Sequence, residues 1–462
     1  MSRINFKHFA RDAQSEQRIG IVSNNKNYSV AIIGGGYAGM AAAVTLAAAN
    51  VPVTVFESAK QLGGRARGVR HNNIQLDNGQ HILLGCYHHT LQLIKQVGGS
   101  IEHDFLRLPL QLTLHNRFEL KASHLPAPLH LLAGLLGAKG LSFGERLRAA
   151  RFMLTLGRIN FTLPHDISVL ELLRKHNQGD ELIRLLWEPL CISALNTPIH
   201  IASAQILLHV LRDSLNGLRS DSDMLLPRID LTALFPKRAT EYVKQHRGTV
   251  LTACSVEAII PHGDTIELIT RPTTIASVHT QLFSHVICAA SSITAARLFR
   301  TVPPLALIAE QIAAIPHQPI YTVYLQYPEQ VRLLQPMLGL DRCFTQWLFD
   351  KGQIAGQRGL IAAVISAQGK HQSLKHELLA QHVAQEICEQ LGIMKAPLWH
   401  KVIAEKRATF SCETNLPRPA YITPLANILL AGDYTAGDYP ATLEGAVMSG
   451  MLCARNILSI IQ

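Results

Sequence analysis

In Ser29-Val30-Ala31-Ile32-Ile33-Gly34-Gly35-Gly36-Tyr37-Ala38-Gly39, small and β-branched residues lead into three glycines at G-x-G-x-x-G spacing. The apolar run reads as a strand buried on both faces, as in a parallel sheet. Gly34 permits a tight turn, Gly36 lets the backbone approach a pyrophosphate, and Gly39 lets the next helix pack on the strand. That helix, starting near Ala38, points its N-terminal amides at the phosphates. A second strand, Val53-Thr54-Val55-Phe56, ends at Glu57. An acidic residue about 20 residues beyond the glycines accepts from ribose hydroxyls, and it would repel the extra phosphate of NADP. Next comes Leu62-Gly63-Gly64-Arg65-Ala66-Arg67. Gly64 and its neighbour let the chain pass close to the ligand, and Arg65 is expected to neutralise phosphate charge. Arg67 and Arg70 suit a solvated loop equally well.

The other half of the same site lies about 400 residues further on, where Asn427-Ile428-Leu429-Leu430-Ala431 delivers Gly432 and Asp433. Thr442 and Leu443 then open a helix expected to run toward Ile457. A ligand held at both ends of such a chain must be long, which points to FAD. Asp433 suits the ribityl hydroxyls. The helix N-terminus at Thr442 and Leu443 would stabilise negative charge on reduced flavin. Glu444 either complements the helix dipole without touching the cofactor or serves the site. Val256, in the strand Val256–Ile260, completes the cofactor-binding set.

The chain has 462 residues, 48% hydrophobic and 16% charged, with net charge +10. That length favours two interleaved domains. The expected fold class is α/β: a discontinuous Rossmann-type FAD-binding domain interleaved with an α+β substrate domain. The pieces are 29–104, 221–299 and 406–462 for FAD, and 105–220, read as helical, and 300–405 for substrate. Residues 1–28 are polar and read as a disordered extension. The positive charge is dispersed and no nucleic-acid module appears, so nucleic acid is not expected as a partner. Eight scattered cysteines without a C-x-x-C pair suit a reducing cytoplasm, and no histidine spacing suggests a metal. No run reaches the roughly 18–20 apolar residues of a transmembrane helix. An apolar stretch from Leu125 to Leu141 precedes a helix bearing Arg146, Arg148, Arg151 and Arg158. It suits either a membrane surface, at the inner face of the cell membrane, or a packed helix pair.

The order of these motifs resembles the FAD-dependent amine oxidase and phytoene desaturase superfamily. Within it, the chain is similar to the hydroxysqualene dehydroxylases, also called squalene-associated FAD-dependent desaturases. The carrying stretches, besides the glycine motifs, are Asp77-Asn78-Gly79-Gln80-His81, Trp187-Glu188-Pro189-Leu190, Leu195-Asn196-Thr197-Pro198, Lys406–Phe410 and Pro440–Ala446. The resemblance departs at Tyr434, where tryptophan is more usual. It implies reductive removal of the hydroxyl of hydroxysqualene, a long isoprenoid, by hydride from reduced FAD. The electron donor that reduces FAD is not implied. Loss of hydroxide needs a proton donor or strong hydrogen bonding. His81 is the first candidate, with a structural histidine bonded to backbone as the plain alternative; Asp438 and Tyr439 follow. A carotenoid or phytoene-type desaturase would run hydride transfer the other way through the same residues. A non-catalytic isoprenoid-binding protein, as in the Rab GDP-dissociation inhibitors, is the remaining alternative, and the intact glycines and Glu57 speak against it.

Overall fold

The computed structural model describes residues 28–215, 217–273 and 277–461. All but Tyr28 of the expected N-terminal extension lies outside the described residues. Five short strands make a parallel sheet: β1 (Val30–Ile33), β2 (Val53–Phe56), β3 (Thr249–Leu251), β4 (His285–Cys288) and β5 (Ile428–Leu430), in the order β3-β2-β1-β4-β5. Val30 lies opposite Val53 on one side and His285 on the other. Every residue of β1, β4 and β5 is buried, which is why these strands are continuously apolar rather than alternating.

The chain leaves this sheet after β2 and returns at β3, then leaves after β4 and returns at β5. The two excursions build a second, seven-stranded sheet ordered Trp399–Phe410, His317–Gln326, Leu360–Ser366, Trp347–Asp350, Met337–Gly339, Gln111–Leu114 and Phe118–Lys121. The first excursion also supplies helices α2 (His88–Gln96), α3 (Leu129–Leu136), α4 (Phe143–Arg158), α5 (Glu188–Leu195) and α6 (Ala204–Leu215), after α1 (Tyr37–Ala48) of the nucleotide domain. The last helix, α7 (Leu443–Ile461), packs along α1. Small residues make that approach close, since a Cβ on Gly450 would sit 2.0 Å from the Ala38 carbonyl.

Two expected domain boundaries move. The strand Trp399–Phe410 runs through 405/406 and belongs to the seven-stranded sheet. Residues 105–220 do not start as helix. Phe105–Leu108, Gln111–Leu114 and Phe118–Lys121 are strands. Their alternation, as in Gln-Leu-Thr-Leu, is the period-2 signal that leucine content obscured. Phe105–Leu108 pairs with Met224–Pro227, so it sits with the small sheet that also holds Leu83–Leu84. The motif Leu195-Asn196-Thr197-Pro198 ends α5, with Asn196 in the left-handed region at φ +47°. Its side chain accepts from the Ala367 amide at 2.7 Å and donates to Thr409 Oγ1 at 2.9 Å, tying the helix end to the sheet.

Candidate functional site

A cavity of about 700 Å³ runs between the two domains. Of the cofactor residues named from sequence, Gly34, Gly36, Ala38, Glu57, Gly64, Arg65, Val256, Gly432, Asp433, Thr442 and Leu443 line it. Gly39 does not: its Cβ position is 1.9 Å from the Gly34 carbonyl, so it serves the contact of helix with strand. Gly34 has φ +110° and lies against the Ala289 carbonyl. A Cβ on Gly36 would meet nothing within 4 Å, because that face of the loop opens into the cavity. The three glycines therefore divide the turn, the approach and the packing among them.

The start of α1 has no side-chain cap and no acid in its first turn. Its free amides, at the positive end of the helix dipole, form a ready seat for an anion. At one end of the cavity, Glu57 accepts from the Gly35 and Ala59 amides, each at 2.8 Å, which fixes its carboxylate beside the loop. Arg65 is not free to follow a phosphate. It forms an ion pair with Asp433 at 2.5 Å and donates to the Ala408 carbonyl at 2.8 Å. The pair ties the second glycine loop to the C-terminal half. Tyr434 donates its hydroxyl to the Ala290 carbonyl at 3.1 Å, a bond that tryptophan would make differently.

Glu444 turns away from the cavity. Its buried carboxylate accepts from the amides of His89 and Thr90 at 3.0 and 2.9 Å, from His89 Nδ1 at 2.9 Å and from Thr90 Oγ1 at 2.6 Å. It therefore caps α2 from another helix.

The catalytic candidates separate. His81 lines the cavity, with Nδ1 3.1 Å from the Gly79 carbonyl. Since a carbonyl only accepts, the proton sits on Nδ1. Burial lowers the imidazole pKa, and nearby Arg65 lowers it further, so the ring is neutral and Nε2 is an acceptor. A ring bonded to backbone is the plain alternative stated for His81, and it leaves Nε2 facing the cavity as an acceptor. Asp438 lies apart from His81. Its side chain is 60% exposed, outside the cavity lining, and faces His209 and Arg212 at 3.7 Å. Tyr439 and Asp213 of α6 both line the cavity. Burial, then the nearby Asp213 carboxylate, pushes the phenol pKa well up. Arg418 holds the Tyr439 carbonyl at 2.9 Å, and Arg212 Nε holds Asp213 at 2.7 Å. Sequence reading missed Asp213. Its signal was a carboxylate in a leucine-rich amphipathic helix, next to Leu211 and Leu215 of the cavity wall.

The family model described as flavin containing amine oxidoreductase matches residues 37–458. The chain belongs to that family. This amine oxidoreductase is 26% identical to the hydroxysqualene dehydroxylases of Sinorhizobium fredii and Zymomonas mobilis, over 93% of this chain and 98% of each relative. It is 23% identical to the zeta-carotene desaturase of Synechocystis sp., over 93% of this chain and 97% of that one. Among solved structures, a triple variant of putrescine oxidase superposes with TM-score 0.73 at 14% identity, over 94% of this chain and 99% of that one. Cyclohexylamine oxidase from Brevibacterium oxydans gives TM-score 0.68 at 16% identity, with the same shares covered. At these identities the structural likeness speaks to fold alone. The flavin containing amine oxidoreductase is an FAD-dependent oxidoreductase. The uncapped α1 amides, the open face at Gly36 and the fixed Glu57 carboxylate fit that cofactor.

Proposed function

We propose that this enzyme removes the hydroxyl of hydroxysqualene, giving squalene and water. The observation that carries the reading is the apolar part of the cavity wall. Leu112 of the seven-stranded sheet, Leu131 and Leu135 of α3, Met153 of α4, Trp187 just before α5 and Leu211 of α6 contribute to it. A long isoprenoid gains roughly 25 cal/mol for each Å² of apolar surface it buries there. The hydroxysqualene dehydroxylase relatives support the choice of substrate.

When bound and reduced, FAD supplies the hydride, its electrons coming from a donor outside this chain. In the substrate the allylic C–O bond breaks, a C–H bond forms, and the oxygen leaves as water after taking one proton. Tyr439, kept protonated at the cavity wall by its raised pKa, is assigned that proton, since even a weakly acidic phenol is a stronger acid than the water that forms. Asp213 beside it stabilises positive charge growing on the allylic carbon. His81 Nε2 accepts from the substrate hydroxyl and orients it. The proposed setting is the cytoplasm, in keeping with cysteines that are all free thiols.

The test is anaerobic incubation of the chemically reduced holoenzyme with hydroxysqualene. Squalene and reoxidised flavin are expected. Bound, reducible FAD without squalene would overturn the reading. The zeta-carotene desaturase relative would then direct the next assay to oxidised enzyme with phytoene-type carotenoids.

A further inference from the structure

Six of the eighteen exposed large apolar side chains among the described residues fall between Leu125 and Ile159. Scattered exposed leucines need no explanation, but a local concentration does. Leu129 is 53% exposed, Phe143 69% and Leu154 48%. On α4 the outward face holds Phe143, Leu147, Arg151, Leu154 and Arg158 at helical spacing, so apolar and cationic side chains share one surface. The acid of this helix, Glu145, is buried, closing a capping box with Ser142. Among the described residues no ion pair engages Arg148, Arg151 or Arg158, whereas Lys139 pairs with Glu119.

The same hairpin bounds the cavity. Leu131 and Leu135 of α3 face inward and line it, while Leu129 and Leu136 face outward and are exposed. One helix therefore lies between the cavity and the outer surface. Gly134 seats that helix against the adjoining sheet, with its Cβ position 2.7 Å from the Lys121 carbonyl. No described helix is long and apolar enough to cross a membrane. A second copy of the chain is a poor occupant, because a two-fold contact would set unpaired arginines against arginines.

We infer that the α3–α4 hairpin docks on an anionic lipid bilayer, with its leucines and phenylalanine in the acyl boundary and its arginines at the headgroups. Such a surface combines buried apolar area with attraction to anionic lipid. The docking stands on the surface alone. That α3 is then the wall through which a water-insoluble substrate enters rests on the function proposed above.

The holoprotein is mixed with vesicles of phosphatidylcholine alone, or of phosphatidylcholine with phosphatidylglycerol, and sedimented. Binding is expected to the anionic vesicles and to fall with salt. Each cation near such a surface changes affinity about fivefold, so R151Q/R158Q is expected to bind roughly twenty-five-fold more weakly. Retained FAD absorbance shows that the variant is folded. L129W is expected to be quenched by lipids brominated in the acyl chain, and L334W, exposed elsewhere, is not. The inference is overturned if wild-type protein ignores anionic vesicles, if the arginine variant binds unchanged, or if bound L129W is not quenched. It is overturned in favour of self-association if the substitutions change oligomeric state and leave vesicle binding intact. Squalene formation is scored separately with detergent-dispersed substrate, so a failed function would leave the docking result standing.

Discussion

Glu444 offers the sharpest test of how the halves of this protein are joined. It is 1% exposed, and its carboxylate accepts from the His89 and Thr90 amides, His89 Nδ1 and Thr90 Oγ1. Glu444→Ala would leave two amides and a hydroxyl at the start of α2 without their acceptor. Loss of a helix cap costs about 1 kcal/mol. Hydrogen bonds to a charged acceptor contribute about 1.5–3 kcal/mol each, though not additively within one cluster. Together these give a loss of about 3–5 kcal/mol for Glu444→Ala. Glu444→Gln keeps one acceptor oxygen and should lose about 1–2 kcal/mol. A cooperative unit of this size shifts its melting midpoint by about 1 °C per kcal/mol. Denaturant titration read by circular dichroism is therefore the more sensitive assay, with FAD affinity measured in parallel. Thr90→Ala and the double variant complete a cycle, in which coupling above about 1 kcal/mol is expected. The reasoning is refuted if Glu444→Gln leaves stability unchanged while FAD affinity falls, for then the carboxylate serves the cofactor. Additive effects of Glu444→Ala and Thr90→Ala would refute it too.

Further outcomes separate the roles assigned to neighbouring residues. Gly36→Val places a side chain in open cavity, so FAD affinity should fall at least about a hundredfold with the apoprotein fold intact, whereas Gly39→Ala collides with the Gly34 carbonyl and should lower apoprotein stability itself; equal effects on both readouts would contradict the division. Tyr439→Phe should slow single-turnover flavin reoxidation by hydroxysqualene about 10²–10⁴-fold with an unchanged flavin spectrum, and a wild-type rate would remove Tyr439 from proton delivery. Burial raises the Asp77 pKa from its ordinary 3.8 to about 7. Between those values the folded protein binds the proton more tightly than the unfolded chain does, so stability falls as pH rises through that window, by at most about 4 kcal/mol. Asp77→Asn should flatten this slope between about pH 4 and 7; the slope is the readout, because buried Lys351 also loses a nearby counter-charge. An unchanged slope would refute the assignment.

The nucleotide half was open to sequence reading because its signals are local. β-branched strands, glycines at fixed spacing and an acid at a strand end each declare themselves within a dozen residues, and the backbone needs them there whatever the rest of the chain does. The strands of residues 105–121 were harder. They are four residues long and rich in leucine, so a short period-2 pattern competes with helical composition.

From the sequence alone come the two cofactor halves, their union in one α/β domain and the interruption of that domain by a second. Those follow from which dihedrals and which burial each short segment permits. Tertiary structure alone decides the chemistry of individual charges. Arg65 pairs with Asp433 across 368 positions, and Glu444 caps a helix 354 positions away. Asp213 meets Tyr439 only because α6 and the loop before α7 wall the same cavity. A side chain's role depends on which donor or acceptor reaches it after burial, and that partner is set by the packing of distant elements, which no local spacing encodes.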